Sequence, residues 1–219
     1  MSCRIWVVAG LALLALMALS LASSDFNVIP LPDATYLSET TKIPLVGPDF
    51  TFVTSITDGT LTANLSNPCM LTTVPGSWHN WSSPPLSESA TPRVLNTFDK
   101  LSLEMDFSSP VKIFGAEMEG NAYGTWGMDA FFYDGATLVG SISRDVTTPS
   151  GALLFAGYSN TDSFDHVVLD VGSADAITLG AAEVRYSFDA PRQPVPEPGT
   201  CTLLGLGLVG LVGRLRRKK

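Results

Sequence analysis

The sequence predicts an all-β protein: a β-sandwich or jelly-roll ectodomain flanked by an N-terminal signal-peptide helix and a short C-terminal transmembrane helix. Three observations lead to this class. Short segments that alternate apolar and polar residues recur between residues 50 and 188, as in strands with one buried face. Turn residues separate these segments, and no amphipathic helical pattern interrupts them. Each end of the chain instead carries a continuous apolar run.

The first 22 residues have the pattern of a secretory signal peptide. Arg4 supplies a positive charge, residues 5–19 are almost wholly apolar, and Ser20 and Ala22 place small side chains at positions −3 and −1 of a cleavage site. No lipoprotein cysteine follows the apolar run. We therefore expect export by the general secretory route.

Residues 23–47 are rich in proline, serine and threonine, and are predicted to be an irregular lead-in with one edge strand near Ala34–Leu37. The sandwich domain is predicted over residues 48–190. It opens with a β-hairpin, because Phe50–Ile56 and Thr60–Leu65 alternate on either side of the turn dipeptide Asp58-Gly59.

Residues 67–96 form the longest stretch predicted to be irregular, with five prolines and the sequence Trp-His-Asn-Trp at 78–81. Long loops in compact domains are often functional. Trp78, His79 and Trp81 are the candidate sugar-binding residues, because aromatic rings can stack on a sugar face. The alternative is that the two indoles pin the loop onto the sandwich.

From residue 101 the strand signals become regular. Ser108-Ser109-Pro110 is predicted as a turn, residues 120–127 as a glycine-rich loop and Asp134-Gly135 as a tight turn. The predicted strands are Leu101–Phe107, Val111–Met118, Met128–Tyr133, Thr137–Ile142, Leu153–Tyr158, Phe164–Val171 and Ala182–Phe188.

Charge and cysteine content limit the possible partners. The chain has a net charge of −8, and residues 23–196 alone carry 20 acidic and 7 basic side chains, a net charge of −13. Such a body argues against nucleic acid or anionic lipid as a partner, since both carry negative charges that repel it. Cys69 is the single cysteine between the two apolar ends, so the core must hold the fold without an internal disulfide. We expect Cys69 to be a buried small side chain, with intermolecular pairing as the alternative.

The residues do not assemble a catalytic site, and the chain is predicted not to be an enzyme. His166 lies in a predicted strand, where the adjacent Asp165 points to the opposite face and cannot orient it. Glu104 and Asp106 share an exposed strand face, which is commonplace for acids.

No cofactor is expected either. Two distant histidines and one cysteine do not make a zinc site. Asp129, Asp134, Asp162 and Asp175 could contribute to a structural calcium site, but as turn formers and surface acids they need no metal.

The C-terminal 29 residues, 191–219, have three parts in fixed order. Pro196, Glu197 and Pro198 come first, and the two prolines keep this backbone extended. The apolar run 201–213 follows and would span roughly 20 Å as a helix, which is short for a bilayer core of about 30 Å. Residues 214–219 supply five basic side chains that stay on the cytoplasmic side. The alternative is a permanent tail anchor.

This order closely resembles the PEP-CTERM sorting signal of bacteria. The resemblance rests on Pro196-Glu197-Pro198, Gly199-Thr200, the leucine- and glycine-rich run and the basic end. It implies recognition by an exosortase, a membrane transpeptidase-like protease, with Pro196, Glu197 and Pro198 as the sorting motif. Cys201 departs from the small or apolar residue usual at its position.

The second half of the body is also similar to the β-sandwiches common among PEP-CTERM proteins, which resemble carbohydrate-binding jelly rolls. The segments that carry this likeness are Phe107–Val111, Phe114-Gly115, Phe132–Gly135, Phe155–Tyr158 and Glu183–Tyr186.

Together these patterns predict an exported, non-enzymatic cell-surface or extracellular-matrix protein. Its expected partners are an exosortase, exopolysaccharide and, transiently, the bacterial inner membrane, which anchors the precursor. The alternative is a lectin-like carbohydrate-binding module that uses the loop from Trp78 to Trp81.

Overall fold

The computed structural model describes residues 25–172 and 178–191, which form twelve strands and one short helix. The two predicted terminal helices lie outside these residues. Within the described ranges, no helix has the length and apolar character needed to cross a membrane. The elements in chain order are β1 (Asn27–Ile29), α1 (Ala34–Glu39), β2 (Thr41–Lys42), β3 (Phe52–Thr57), β4 (Thr62–Thr73), β5 (Arg93–Asn96), β6 (Ser102–Val111), β7 (Ile113–Gly120), β8 (Gly124–Asp134), β9 (Thr137–Thr148), β10 (Leu153–Tyr158), β11 (Phe164–Val171) and β12 (Leu179–Ser187).

The described strands join into one antiparallel sheet that folds over on itself. Their order is β1–β10–β7–β12–β5–β4–β6–β11–β8–β9, with β2 beside β12 and β3 beside β4. Phe114 on β7 packs against Phe107 on β6 and Phe132 on β8, at ring-centroid distances of 5.1 and 6.2 Å. The two halves of the sheet therefore face each other as the layers of a sandwich, and the predicted all-β class is confirmed.

Alternation along the strands explains the core. On β6, Leu103, Met105 and Phe107 are buried, whereas Glu104 and Asp106 between them are exposed. The bounds of β10 and β11 coincide with the predicted ones.

The predicted β3–β4 hairpin is also present. Its turn is held by Asp58, whose Oδ1 accepts hydrogen bonds from the backbone N–H groups of Thr60 and Leu61, both at 2.8 Å.

The lead-in is more ordered than predicted, and the edge strand expected at Ala34–Leu37 is wrong. These residues lie in helix α1, because the Asp33 carboxylate caps the helix by accepting a hydrogen bond from Tyr36 N at 2.8 Å. On either side of α1, β1 pairs with β10 and β2 pairs with β12. The lead-in therefore belongs to the same sheet as the rest of the body.

Two prolines predicted to interrupt strands lie inside them. Pro110 lies in β6 where the register shifts against β11 and pairing with β4 has ended, so no ladder hydrogen bond is lost. Pro68 lies in β4 between the residues paired to β6 and those paired to β5. The irregular region is therefore residues 74–92, which we call the tryptophan loop.

The glycine-rich loop predicted at residues 120–127 is also shorter in the structure. Strand β8 begins at Gly124, so only residues 121–123 connect β7 to β8. The tight turn predicted at Asp134-Gly135 is present, with Gly135 at a φ of 55°.

Strand β7 is buried along all eight of its residues, because both of its faces are covered. Phe114, Ala116 and Met118 belong to the core between the two layers. Glu117 and Glu119 alternate with them and point to the outer face. Tyr36 of α1 covers the Ile113 end of that face, and the tryptophan loop covers the Gly120 end.

The first and last described residues lie at the same end of the sandwich. The Asp25 carboxylate accepts hydrogen bonds from Asn160 N at 2.8 Å and Thr161 Oγ1 at 3.0 Å, just beyond β10. Pro191 lines a small pocket together with residues of β1 and with Ile113. Both residues are therefore at the Ile113 end of β7.

The segment that follows Asp25 seals the sandwich. Phe26 packs against Phe132 at a ring-centroid distance of 4.9 Å. Gly140 and Gly157 provide the room, since a Cβ atom at either position would fall on the Phe26 ring. These glycines are required by close packing rather than by a turn.

Candidate functional site

Two tryptophan–glutamate pairs fasten the tryptophan loop to β7. Trp78 Nε1 donates a hydrogen bond to Glu119 Oε2 at 3.3 Å, and Trp81 Nε1 donates one to Glu117 Oε2 at 2.8 Å. Each tryptophan is only 4% exposed. The indoles are three residues apart on the loop and the carboxylates two residues apart on the strand, so the loop runs along the strand.

The two carboxylates are both held in desolvated surroundings. Burial raises the pKa of Glu117 to about 7, although hydrogen bonds from Trp81 and Glu88 N oppose this shift. Burial also raises the pKa of Glu119, whose Oε1 accepts hydrogen bonds from Ser150 N at 2.9 Å and Gly151 N at 3.3 Å. Every oxygen of the two groups has a donor, as buried carboxylates require.

A charged cluster lies beside Glu117 on the same face. The Arg185 guanidinium bonds Glu88 Oε2 at 2.8 Å, and Lys42 pairs with Glu88 at 3.3 Å and with Glu183. Glu183 has a φ of 50°, a left-handed conformation that coincides with the register shift between β12 and β7. Through these contacts, β2 and the tryptophan loop are tied to β12.

A pocket of about 280 Å³ opens next to the Trp78–Glu119 pair. Its most prominent side chain is Tyr123, which is 73% exposed and whose hydroxyl lies 3.2 Å from His79 Nε2. The pocket lies at the Gly120 end of β7, where the loop 121–123 passes the tryptophan loop. Its lining residues are Trp78, His79, Glu119, Gly120, Asn121, Ala122, Tyr123, Thr148 and Pro149.

The predicted sugar-binding residues are placed unequally. His79 is exposed at the pocket and Trp78 forms part of its wall. Trp81 is buried against Glu117, outside the residues that line the pocket. The contacts of both indoles are those of loop anchors, which was the alternative interpretation, and sugar stacking stays a prediction.

Sequence reasoning missed Tyr123 and Glu119. Tyr123 was visible only as an aromatic residue in a glycine-rich segment. Glu119 lies one residue beyond the end of the predicted strand, so its position on the outer face of β7 could not be inferred.

His166 has a partner that was not predicted. Its Nδ1 lies 2.7 Å from Asp106 Oδ1, because β11 pairs with β6 so that the two residues are directly opposite. Asp165 instead accepts a hydrogen bond from Gly135 N at 2.8 Å. Because Asp106 is exposed, water competes for this contact, and it adds little to stability.

Two of the acids considered for calcium have other partners. Ser143 donates a hydrogen bond to Asp129, and Asp162 accepts one from Thr161 Oγ1 at 2.9 Å. Asp134 is at the tight turn, and Asp175 lies outside the described residues. In residues 25–172 and 178–191, no group of three or more histidine, cysteine, aspartate or glutamate side chains could hold a metal ion.

Comparison with protein families identifies the motif in the C-terminal segment. Residues 194–218 match the PEP-CTERM protein-sorting motif. The match contains Pro196, Glu197 and Pro198, which lie outside the residues that the structure describes. The predicted resemblance is confirmed for this segment, and the PEP-CTERM motif marks the chain as an exported protein processed by an exosortase.

Comparisons of the whole chain are less informative. No curated protein sequence matches it. A mutant of the family 29 carbohydrate binding module CBM29-2 aligns with a TM-score of 0.38 and 9% identity, over 72% of this chain and 98% of that one. CBM29_1 from Piromyces equi aligns with a TM-score of 0.33 and 14% identity, over 80% of this chain and 98% of that one. The enzymatically active domain of bacteriophage CBA120 tailspike protein 4 aligns with a TM-score of 0.28 and 14% identity, over 69% of this chain and 19% of that one. TM-scores below 0.5 do not establish a shared fold.

Proposed function

We propose that this chain is a non-enzymatic protein of the cell surface or extracellular matrix, which an exosortase delivers and which then associates with exopolysaccharide. The PEP-CTERM motif at residues 194–218 carries the proposal. In the precursor, residues 201–213 hold the chain in the inner membrane and the basic residues 214–219 prevent further passage. Export begins with the signal peptide predicted at residues 1–22.

Delivery is tested by the intact mass of the protein from membrane and extracellular fractions of its host. A species that ends near residues 196–200 outside the membrane supports processing of the tail. A membrane-bound species that retains residues 214–219 contradicts it and leaves a permanent tail anchor. Replacing Pro196, Glu197 and Pro198 by alanine should retain the precursor in the membrane, whereas Pro191→Ala, outside the motif, should not.

The non-enzymatic part of the proposal is supported by the roles of the buried acids. Glu117 and Glu119 have raised pKa values, which often mark catalytic acids. Here both carboxylates are engaged by tryptophan N–H and backbone N–H donors that fix the tryptophan loop. Purified protein should therefore leave the chain length of host exopolysaccharide unchanged. If new reducing ends appeared when the protein is incubated with the exopolysaccharide, the non-enzymatic part of the proposal would be wrong.

A carbohydrate-binding module is the second candidate function, and the pocket beside Trp78 and His79 favours it. Changing Trp78 or Trp81 would loosen the tryptophan loop, so the exposed His79 is the better residue to replace. We expect His79→Ala to weaken retention on host exopolysaccharide while the unfolding midpoint stays unchanged. Unchanged retention would count against the use of this loop.

A further inference from the structure

We propose that the pocket beside Tyr123 is a subsite for one uncharged sugar residue of a polysaccharide, with the Tyr123 ring as its stacking platform. This inference rests on the proposed association with exopolysaccharide. It also differs from the sequence prediction, because the stacking residue is Tyr123 rather than Trp78 or Trp81.

The exposure of Tyr123 is the first argument. A large aromatic ring that is 73% exposed leaves apolar area in water that a ligand could cover. The ring is also positioned, since its hydroxyl lies 3.2 Å from His79 Nε2 and the two rings meet edge-on at 6.2 Å. A platform held in this way loses little conformational entropy when a ligand binds.

The polar groups of the pocket are suited to hydroxyl groups. Asn121 is exposed and its amide offers both donors and an acceptor. Glu119 and Thr148 also line the pocket, with their side-chain oxygens already bonded to Trp78, Ser150 and Ala122. A few polar groups among apolar walls are typical of small-ligand sites and fix the orientation of the ligand.

The charges argue for an uncharged ligand. The nine lining residues include Glu119 but neither lysine nor arginine. Residues 23–196 carry a net charge of −13, so sulfated or uronate-rich polymers would be repelled.

The size is sufficient for a single sugar ring. The volume of about 280 Å³ lies just below the range of drug-sized pockets, roughly 300–1,000 Å³. The pocket therefore holds one sugar residue, and the rest of the polymer continues into solvent.

Affinity electrophoresis of the mature protein in gels that contain purified host exopolysaccharide tests the proposal. Tyr123→Ala should weaken binding about tenfold, the effect expected on loss of a central aromatic contact. The matched control is Tyr133→Ala, at the far end of β8, because Tyr133 also lies beside a histidine, His166, at a ring-centroid distance of 5.6 Å. This control should bind within about twofold of the unaltered protein.

The outcomes separate this inference from the proposed function. If the unaltered protein binds and Tyr123→Ala binds equally well, the subsite is wrong and the polysaccharide association stands. An equal loss in Tyr133→Ala also overturns the subsite. If the unaltered protein does not bind, the association fails together with the subsite, while delivery is still judged by intact mass. Surface charges become screened between about 50 and 500 mM salt. Binding that weakens steeply over this range would contradict the proposal that the ligand is uncharged.

Discussion

Trp81 Nε1 donates a hydrogen bond to Glu117 Oε2 at 2.8 Å, in a place where both side chains are buried. A loop residue thus satisfies a carboxylate on the most deeply buried strand of the sandwich. Because an unpaired buried carboxylate is costly, the loop and the strand stabilise each other. The tryptophan loop is therefore part of the folded core in energetic terms, although it has no regular secondary structure.

Trp81→Phe should lower the free energy of unfolding by about 1–3 kcal/mol, because Glu117 Oε2 loses its indole donor while most of the ring remains. Trp78→Phe is the matched control. Its hydrogen bond to Glu119 is longer, 3.3 Å, and Glu119 keeps two backbone donors, so the loss should be smaller. Urea unfolding of the two variants measures the difference. Equal losses would mean that indole volume, rather than the hydrogen bond, sets the effect.

Stability should fall as pH rises from about 4.5 to about 7. The pKa of Glu117 is about 7 in the native protein and near its ordinary value of 4.5 in the unfolded chain. Between these pH values the native state binds more protons than the unfolded chain. The stability that Glu117 contributes is therefore complete below pH 4.5 and is lost as pH rises through 7. The shift corresponds to roughly 3 kcal/mol.

Glu117→Gln should flatten that part of the pH–stability curve. The pKa values of Glu119 and Glu183 are also raised, but both groups remain in the variant, so the difference curve reports mainly Glu117. Asp99→Asn is the control, because Asp99 is an exposed carboxylate paired only with Lys100 among the described salt bridges. Chemical unfolding at half-unit pH steps gives the curves. A variant slope equal to that of the unaltered protein would exclude Glu117 as the cause.

Gly157→Ala should detach the N-terminal strand, because the new methyl group would occupy the position of the Phe26 ring. We expect a loss of about 2–4 kcal/mol and rapid hydrogen exchange in β10, which pairs with β1. Adding Phe26→Ala to Gly157→Ala should cost less than the sum of the two single changes. Strict additivity in this double-mutant cycle would contradict the contact.

Cys69 should be inert in the native protein. It is completely buried, and burial raises the pKa of its thiol to about 12, so little thiolate exists at pH 8. With Cys3 and Cys201 replaced by serine, a chromogenic disulfide reagent should react only after urea unfolds the chain. Fast reaction before unfolding would instead favour the intermolecular pairing considered from the sequence.

The strands with local alternation could be predicted from the sequence. Residues such as Leu103, Met105 and Phe107 bury one face while Glu104 and Asp106 stay in water, so the pattern repeats every second residue. The β3–β4 hairpin was predictable for the same reason, since the Asp58-Gly59 turn is encoded locally.

Features that depend on distant partners could not be predicted. Glu117 and Glu119 look like solvent-facing acids until the tryptophan loop is known to cover them. Pro68 and Pro110 break strands by local rules, but each lies where pairing is interrupted on both sides. The candidate pocket depends on the same long-range contact, because Tyr123 and His79 are 44 residues apart.

Asp25 and Pro191 both lie at the Ile113 end of β7, whereas the Tyr123 pocket opens at the Gly120 end. The two ends of this eight-residue strand are seven residue steps apart, a length of about 23 Å. A precursor tethered through the segment that follows Pro191 would therefore be attached at the end of the sandwich opposite the pocket. In such a precursor, the proposed glycan contact and the cleaved segment would lie on opposite ends of the body and would not share a surface.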